Sequence, residues 1–315
     1  MIRTMLSTAA ALLVMTGVAS AQKYPSRAIE VLIPFSAGGG VDLIGRAVAA
    51  SLAEQFGQST VVQNKVGAGG TLAFGALAAA KPDGYTIVFG PSTPIANAPY
   101  LVKGVRYNPE SFDYICQVFE NPFSIAVGPN SPYKTAKDLL AAAKDKSLNF
   151  GHAGLGSIPH LSVENFADAT KIKVQHLPFR GDAGMLPVLI KGDLDFGAPA
   201  LSSIRGNDQI RPLVVFSDKR SPSYPDVPTA GELGVKTAVP PGQNGLYAPK
   251  GLPADVKAAL EKACVAAVKD AGVLKVAGNT GTPIVYLDGK QFKDQTVADY
   301  KFKGELIKRL GLEAK

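Results

Sequence analysis

Tryptophan is absent from this 315-residue sequence, and only two cysteines and three histidines are present. Charged residues are also few, at 19%, whereas 46% of the residues are hydrophobic. This balance excludes a disordered chain or a coiled coil and is typical of one large or two ordinary globular domains. Basic residues exceed acidic ones by 33 to 26 but form no run. We therefore expect no nucleic-acid partner and a mild attraction for small anions.

The motifs of common enzyme classes are also missing. A dinucleotide-binding G-x-G-x-x-G is interrupted at Leu72, no Walker lysine follows a glycine-rich loop, and the G-x-S-x-G pattern around Ser92 ends in Pro94. There is no C-x-x-C, and no histidines stand at ligand spacing, which argues against zinc and redox chemistry. We predict that the protein is not an enzyme and has no cofactor and no metal.

A periplasmic hydrolase of carboxylate esters is the alternative that the sequence leaves open. Its nucleophile would be Ser157 or Ser92, and a serine nucleophile needs a base within hydrogen-bond reach. The bases near Ser157 in sequence are His152 and His160. We interpret His160 as a packed or capping residue and His176, in a strand pattern, as structural, while His152 could donate a hydrogen bond to a ligand.

The N-terminus has the pattern of an export signal. An apolar stretch at 5–18 follows the single charge of Arg3, and Ala19-Ser20-Ala21 supplies the small-x-small pattern of a cleavage site. The stretch is short for a membrane span, which needs ~20 residues, although an uncleaved anchor is the alternative. We predict a signal peptide at 1–21, cleavage before Gln22 and a periplasmic location.

The two cysteines, Cys116 and Cys264, lie in a strand-like and a helix-like segment. In an oxidising compartment they can form a disulfide, which would contribute roughly 4–5 kcal/mol in the chain-entropy model. Two separately buried thiols are the alternative, and we favour the disulfide.

Hydrophobic periodicity predicts that strands and helices alternate along the chain. The predicted strands are at 29–33, 60–63, 85–89, 114–118, 123–127, 148–151, 173–177, 194–198, 213–216 and 282–287. The predicted helices are at 42–56, 71–81, 135–144, 157–170, 182–191, 254–271 and 291–310. The segments at 221–228 and 239–242 are rich in proline and are interpreted as connections. This alternation indicates an α/β fold of parallel sheets with helices on both faces.

One local design occurs twice, as a strand, a glycine-rich turn, a polar cap and a helix. The turns are at 34–42 and 151–160, and Asp42 and Ser157 are the predicted N-caps. Glycine lets the backbone approach a ligand, and the free N–H groups at a helix start attract an anion. If the two turns belong to two lobes, their helix starts could hold one carboxylate across a cleft without any arginine.

Longer motifs, which include the two glycine turns, are spread along almost the whole chain. They are Tyr24-Pro25-Ser26-Arg27-Ala28-Ile29, Pro34-Phe35-x-x-Gly38-Gly39 with Asp42, Asn64-Lys65-x-Gly67-Ala68-Gly69-Gly70, Pro82-Asp83-Gly84-Tyr85-Thr86, Phe150-Gly151-x-Ala153-Gly154-x-Gly156-Ser157-x-x-His160-Leu161, Pro178-Phe179-Arg180-Gly181, Arg220-Ser221-Pro222 and Pro225-Asp226-Val227-Pro228-Thr229. By these motifs the chain resembles the extracytoplasmic solute receptors of tripartite tricarboxylate transporters, the Bug family.

The resemblance implies a two-lobed type II periplasmic-binding-protein (Venus flytrap) fold with parallel-rich mixed sheets. It implies crossings between the lobes near Cys116 and Pro240, so we expect the first lobe at 22–119 plus 241–315 and the second at 120–240. It also implies that both glycine turns and the loop with Ser92 and Thr93 line a carboxylate pocket. The predicted ligand-binding residues are Phe35, Ser36, Ala37, Gly38, Gly39, Asp42, Ser92, Thr93, His152, Ala153, Gly154, Gly156, Ser157, Phe179 and Pro199.

Two departures from the family pattern bear on the ligand. His152 stands where a small serine is common, and Pro199 stands near the place where amino-acid-binding members carry an acidic side chain. A ligand ammonium would then lack a counter-charge, and an unpaired buried charge is costly. We therefore expect a carboxylate without an α-amino group, with an apolar or aromatic body or a second carboxylate. Arg180 is expected to face solvent and could pair a second carboxylate if it turned inward.

The resemblance implies a monomeric receptor that captures a small carboxylate by lobe closure and passes it to the membrane permease of a tripartite tricarboxylate transporter. A receptor that delivers its closed form to a membrane sensor kinase is the alternative from the signalling class.

Overall fold

The computed structural model describes residues 24–235, 239 and 241–314, so the predicted signal peptide and Pro240 lie outside the described residues. Two mixed β-sheets organise the chain. The first sheet has six strands, in the spatial order Ile284–Asp288 (β11), Phe112–Asn121 (β4), Gly242–Pro249 (β10), Thr86–Pro91 (β3), Ile29–Ile33 (β1) and Thr60–Asn64 (β2). β1 pairs in parallel with β2 and β3, whereas β10 is antiparallel to β3 and β4.

The second sheet has five strands from the middle of the chain. Their spatial order is Val174–Pro178 (β7), Leu148–His152 (β6), Phe196–Gly197 (β8), Phe123–Val127 (β5) and Arg211–Phe216 (β9). β6 pairs in parallel with β7 and β8, and β5 is antiparallel to β8 and β9. β7 is therefore an edge strand.

Helices pack on both sheets. They are Gly40–Phe56 (α1), Thr71–Ala78 (α2), Thr93–Leu101 (α3), Ala136–Asp145 (α4), Ile158–Thr170 (α5), Asp182–Lys191 (α6), Leu201–Ile204 (α7), Ala254–Ala267 (α8), Ala271–Thr280 (α9) and Gly289–Arg309 (α10). Within the described part of the chain, no helix is both long enough and apolar enough to cross a membrane.

We call the first sheet with its helices the first lobe and the second sheet with its helices the second lobe. β4 ends at Asn121 in the first sheet and β5 begins at Phe123 in the second, so the chain crosses there, a few residues beyond Cys116. The return to the first sheet at β10 follows a segment that contains Pro240, outside the described residues. The lobe boundaries at 119/120 and 240/241 stay a prediction.

Each lobe has its own core. Aliphatic side chains of α1, such as Ile44 and Leu52, pack with Phe89 of β3 in the first lobe, and Phe150, Phe166 and Phe196 pack together in the second. A disulfide joins Cys116 of β4 to Cys264 of α8, with their Cα atoms 6.5 Å apart, and so ties α8 to the first sheet.

The structure differs from the sequence prediction most clearly in three segments, and it also has shorter elements at β8 and α2 than predicted and an additional short helix, α7. The segment interpreted as a connection at 239–242 leads directly into β10, a fully buried strand in the middle of the first sheet. The single helix predicted at 254–271 is two helices, because Asp270 accepts hydrogen bonds from the N–H groups of Gly272 and Val273 and starts α9. The loop predicted after β3 is the start of α3, with Ser92 as its N-cap residue.

Candidate functional site

The starts of three helices meet at one cleft between the lobes. α1 begins at Gly40 in the first lobe, and α5 and α6 begin at Ile158 and Asp182 in the second; all three starts line the cleft. The first N–H groups of a helix have no intrahelical partner, and the helix dipole adds partial positive charge there. The cleft has a volume of about 610 Å³, including its part open to solvent. Its helix starts therefore offer free N–H groups and partial positive charge to a small anion.

The glycine-rich turn before α1 is held by Asp42, whose carboxylate faces the protein. It accepts hydrogen bonds from the Gly38 N–H at 2.9 Å, from Arg46 Nε at 3.0 Å and from Asn64 Nδ2 at 2.7 Å. Burial alone would raise the pKa of Asp42, but these hydrogen bonds outweigh it and hold that pKa below its usual value. The N-cap is Gly39, so the prediction of Asp42 as the N-cap is wrong. Asp42 positions the turn.

The second turn, between β6 and α5, needs its glycines. Gly154 and Gly156 have φ angles of +123° and +71°, in the region that favours glycine. Ser157 is the N-cap residue of α5, as predicted, but its side chain makes no capping hydrogen bond. Its backbone N–H instead donates to the Gly154 carbonyl oxygen at 3.0 Å, which closes the turn.

The turns of the two lobes touch. A Cβ atom on Gly154 would lie 3.1 Å from the Cα atom of Gly69 in the first lobe. The Ser36 hydroxyl donates to the Arg180 carbonyl oxygen at 2.8 Å, and Asn97 Nδ2 donates to the Gly156 carbonyl oxygen. Backbone of one lobe therefore contacts backbone and side chains of the other around the cleft.

Two residues that line the cleft have polar side-chain atoms without a partner among the described residues. Ser157 Oγ and Asn244 Oδ1 are buried, belong to lining residues and have no hydrogen-bond partner among the described residues. Buried polar groups are usually paired, so such atoms indicate where a polar ligand is recognised. The side chains of Phe35, Phe123 and Ile158 add apolar lining.

Asp182, at the start of α6, is an acidic group in the cleft that sequence reasoning missed. Its Oδ2 accepts a hydrogen bond from the Ala200 N–H at 3.0 Å. Burial raises the pKa of Asp182 to about 6, although hydrogen bonds from the Ser203 side chain and the Ala200 N–H oppose the increase. The signal that could have found it is an acidic residue directly after a glycine at a predicted helix start.

The three histidines form a cluster behind the second turn. His152 Nδ1 lies 2.8 Å from the Gly154 carbonyl oxygen, and its Nε2 lies 3.3 Å from His176 Nδ1. The Gly156 N–H donates to His160 Nδ1 at 3.1 Å. Burial, with repulsion from neighbouring histidines, lowers the pKa of His152 to about 3 and that of His160 to about 2, so both are neutral near pH 7.

The predicted ligand-binding residues divide into two groups. The cleft is lined by seven of them: Phe35, Ser36, Gly39, Asp42, Thr93, Ala153 and Ser157. The others lie behind or beside it: Ala37, Gly38, Ser92, His152, Gly154, Gly156, Phe179 and Pro199. Of these, Gly154 and Phe179 line a neighbouring cavity together with Arg180, whose side chain is exposed.

Several lining residues were not foreseen from the sequence. They come from β3, β10, the lobe crossing and the starts of α1, α5, α6 and α7. They are Gly40, Val41, Pro91, Asn121, Phe123, Ile158, Pro159, Gly181, Asp182, Ala183, Ala200, Ser203, Gly242 and Asn244. Ala200, rather than Pro199, provides the lining after β8.

Two α/β lobes with opposed helix starts on an intervening cleft define a two-lobed solute-binding protein. The profile of the tripartite tricarboxylate transporter family receptors matches residues 44–312. The chain therefore belongs to this family, which confirms the resemblance seen in its motifs.

Similar solved structures agree with this assignment. The periplasmic binding protein BugD is 28% identical, with a TM-score of 0.86 over 93% of this chain and 100% of that chain. An R. palustris protein solved with adipate is 27% identical, with a TM-score of 0.85 over 91% and 98% of the two chains. MatC of Rhodopseudomonas palustris, with bound malate, is 26% identical, with a TM-score of 0.82 over 90% and 100%. The two-lobed fold of a periplasmic binding protein is thus confirmed.

Proposed function

We propose that this protein is a periplasmic receptor that captures a small organic carboxylate between its lobes and passes it to a membrane permease. The observation that carries the proposal is the meeting of the α1, α5 and α6 starts at one cleft. Hydrogen bonds to a charged group contribute roughly 1.5–3 kcal/mol each, and micromolar binding needs about 8 kcal/mol. Four to six such bonds, less the cost of association, suffice without an arginine.

For the ligand, we propose a carboxylate without an α-amino group, with a dicarboxylate as the leading class. From Pro199 we expected a cleft without an acidic side chain that could pair with a ligand ammonium. The structure does not support this reason, because Pro199 does not line the cleft, whereas the acidic residue Asp182 does. A pKa of about 6 for Asp182 means that a proton is readily taken up there. The protonated carboxyl can donate a hydrogen bond to a second carboxylate, whereas a ligand ammonium would need Asp182 ionised. Adipate and malate, seen in the similar structures, both lack an amino group.

We propose the location, the oligomeric state and the membrane partner of the protein on the same basis. Export by the signal peptide at 1–21 would deliver a monomeric receptor to the periplasm, where a permease or a sensor kinase could receive its closed form. A hydrolase is disfavoured by the geometry, since Ser92 Oγ and Ser157 Oγ have no hydrogen-bond partner, histidine included, among the described residues.

The test is a thermal-shift screen over mono-, di-, tri- and aromatic carboxylates and amino acids, followed by calorimetry of the hits. A ligand at a hundredfold excess over its dissociation constant should stabilise the protein by about 2.7 kcal/mol. Tighter binding of aspartate or glutamate than of simple dicarboxylates would overturn the ligand class. No binding by any carboxylate would overturn the receptor function.

Gly40 offers a variant that probes the cleft itself. A Cβ atom at Gly40 would contact Ser202 Oγ and lie 3.1 Å from Ser202 Cβ in the opposite lobe. Gly40→Val should therefore hold the lobes apart and abolish the ligand-induced shift, because the helix starts can no longer engage one ligand. The matched control is Gly75→Ala in α2, where a Cβ meets nothing within 4 Å. Equal ligand shifts in both variants would show that the cleft is not the binding site.

A further inference from the structure

We propose that His152, His160 and His176 form a binding site for a divalent transition-metal ion of the Zn²⁺ class. They are all the histidines of the 315-residue chain, and the fold brings them together from β6, α5 and β7. One ligand nitrogen of each can be chosen so that all three lie within 4.8 Å of one another. The sequence predicted no metal because these histidines are not at ligand spacing along the chain, but they are close in space.

The distance between His152 and His176 already fits a metal centre. His152 Nε2 and His176 Nδ1 are 3.3 Å apart. Two nitrogens of a tetrahedral zinc site, each at 2.0–2.1 Å from the ion, are separated by about 3.4 Å. His152 Nδ1 lies 2.8 Å from the Gly154 carbonyl oxygen and 3.2 Å from the Gly154 nitrogen. With its proton on Nδ1, His152 donates to the carbonyl oxygen, and its Nε2 accepts a hydrogen bond from His176 Nδ1. A bound ion would replace this bond between the two histidines, and the hydrogen bond to Gly154 would be the usual outer-shell contact of a metal-binding histidine.

A buried nitrogen of His160 without a hydrogen-bond partner is a second observation that points to a metal ion. Its side chain is fully buried, and its Nε2 has no hydrogen-bond partner among the described residues. The Glu164 carboxylate lies 3.7 Å from this Nε2, so a carboxylate stands beside the cluster to balance the charge of a cation or to bind it as a fourth ligand. Coordination by Nε2 requires the His160 proton to move to Nδ1 and the hydrogen bond from the Gly156 N–H to break. It also requires the His160 ring to turn, because this ring is stacked on His152 with the ring centroids 4.4 Å apart, and imidazole lone pairs lie in the ring plane. One such bond is worth far less than coordination of a metal.

A cation can reach the cluster from one side. His176 is only partly buried on the edge strand β7, whereas His152 and His160 are fully buried. Three imidazoles favour Zn²⁺, Cu²⁺ or Ni²⁺ over Mg²⁺ and Ca²⁺, which prefer oxygen ligands. Because His152 stays hydrogen-bonded to the Gly154 carbonyl oxygen, a bound ion would fix the turn at Gly154, beside the cleft.

The test uses the mature protein with a tag that contains no histidine, stripped with a chelator. Titration with ZnSO₄ by calorimetry should show one ion per chain, and MgCl₂ should show none. X-ray absorption at the zinc edge should show three imidazole ligands, a number that requires every histidine of the chain. Absence of saturable zinc binding, or a coordination shell without imidazole, would overturn the proposal. Neither measurement depends on carboxylate binding, so the result is separate from the receptor function.

Two variants of β7 test whether the ion binds at the three histidines. His176→Gln should weaken zinc binding by more than about a hundredfold, since even outer-shell partners of a metal ligand cost 10–100-fold. Because His176 is only partly buried, the metal-free variant should keep the melting temperature of the wild type. Gln175→Ala, at the exposed neighbouring position of β7, is the control and should bind zinc as the wild type does. Equal zinc affinity in both variants would overturn the site.

Discussion

The protonation of Asp182 should make carboxylate binding depend on pH. Asp182 lines the cleft, and its pKa of about 6 lies above the usual value because burial disfavours its charged form. A bound carboxylate disfavours that charge further. For two charges about 6 Å apart at an effective dielectric constant of about 20, the repulsion is about 2.8 kcal/mol, or about a hundredfold in the proton affinity of Asp182.

The direction of this pH dependence follows from which protonation state of Asp182 binds the ligand more tightly. An anion prefers the protein with Asp182 protonated, so the affinity should rise as the pH falls from about 8 to about 6, the pKa of Asp182 in the free protein. Over this range the affinity should increase between tenfold and a hundredfold. Close to one proton should be taken up for each ligand bound near pH 7.

Calorimetry at pH 6, 7 and 8 measures the ligand affinity and the number of protons taken up on binding. Buffers of different ionisation enthalpy are compared, and the ligand must stay ionised throughout. Asp182→Asn should bind the ligand with an affinity that no longer changes with pH and without proton uptake. An affinity that falls as the pH falls would refute the reasoning, because it would mean that ionised Asp182 pairs with a cationic group of the ligand. The same pH dependence in the asparagine variant would assign the proton to another group.

Two further predictions concern stability and are tested by urea unfolding. Replacing both Cys116 and Cys264 with alanine releases a cross-link between residues 148 apart in sequence and should lower the free energy of unfolding by roughly 5 kcal/mol in the chain-entropy model; a loss below about 1 kcal/mol would contradict the cross-link. Asp299→Leu should cost about 3–5 kcal/mol, since it leaves the fully buried ammonium of Lys303 unpaired, whereas Asp299→Leu with Lys303→Met should restore most of that loss. Equal losses in the single and the double variant would show that the ion pair is not the cause.

Local signals predicted the elements that carry the glycine turns. The helix predicted at 157–170 is α5, which spans Ile158–Thr170, and the apolar spacing after Asp42 predicted most of α1, which ends before Gly57 in a left-handed conformation. Both depend on neighbours within a few residues, which is the range of a helical repeat. β10 was missed because its buried face is set by strands β3 and β4, far away in sequence, and its Gly- and Pro-containing segment has no strand pattern of its own.

The sequence by itself determined the family, the α/β class and the two glycine-rich helix starts, because long motifs, hydrophobic spacing and the backbone freedom of glycine are readable from residues close together. Only the tertiary structure decided which side chains share a site. β6 and β7 pair with Phe150 opposite His176, which puts His152 and His176 on one face of the sheet, and α5 lays His160 over them. Asp182 enters the cleft for the same reason: sheet order and lobe contact set its neighbours, and neither is encoded in spacing along the chain.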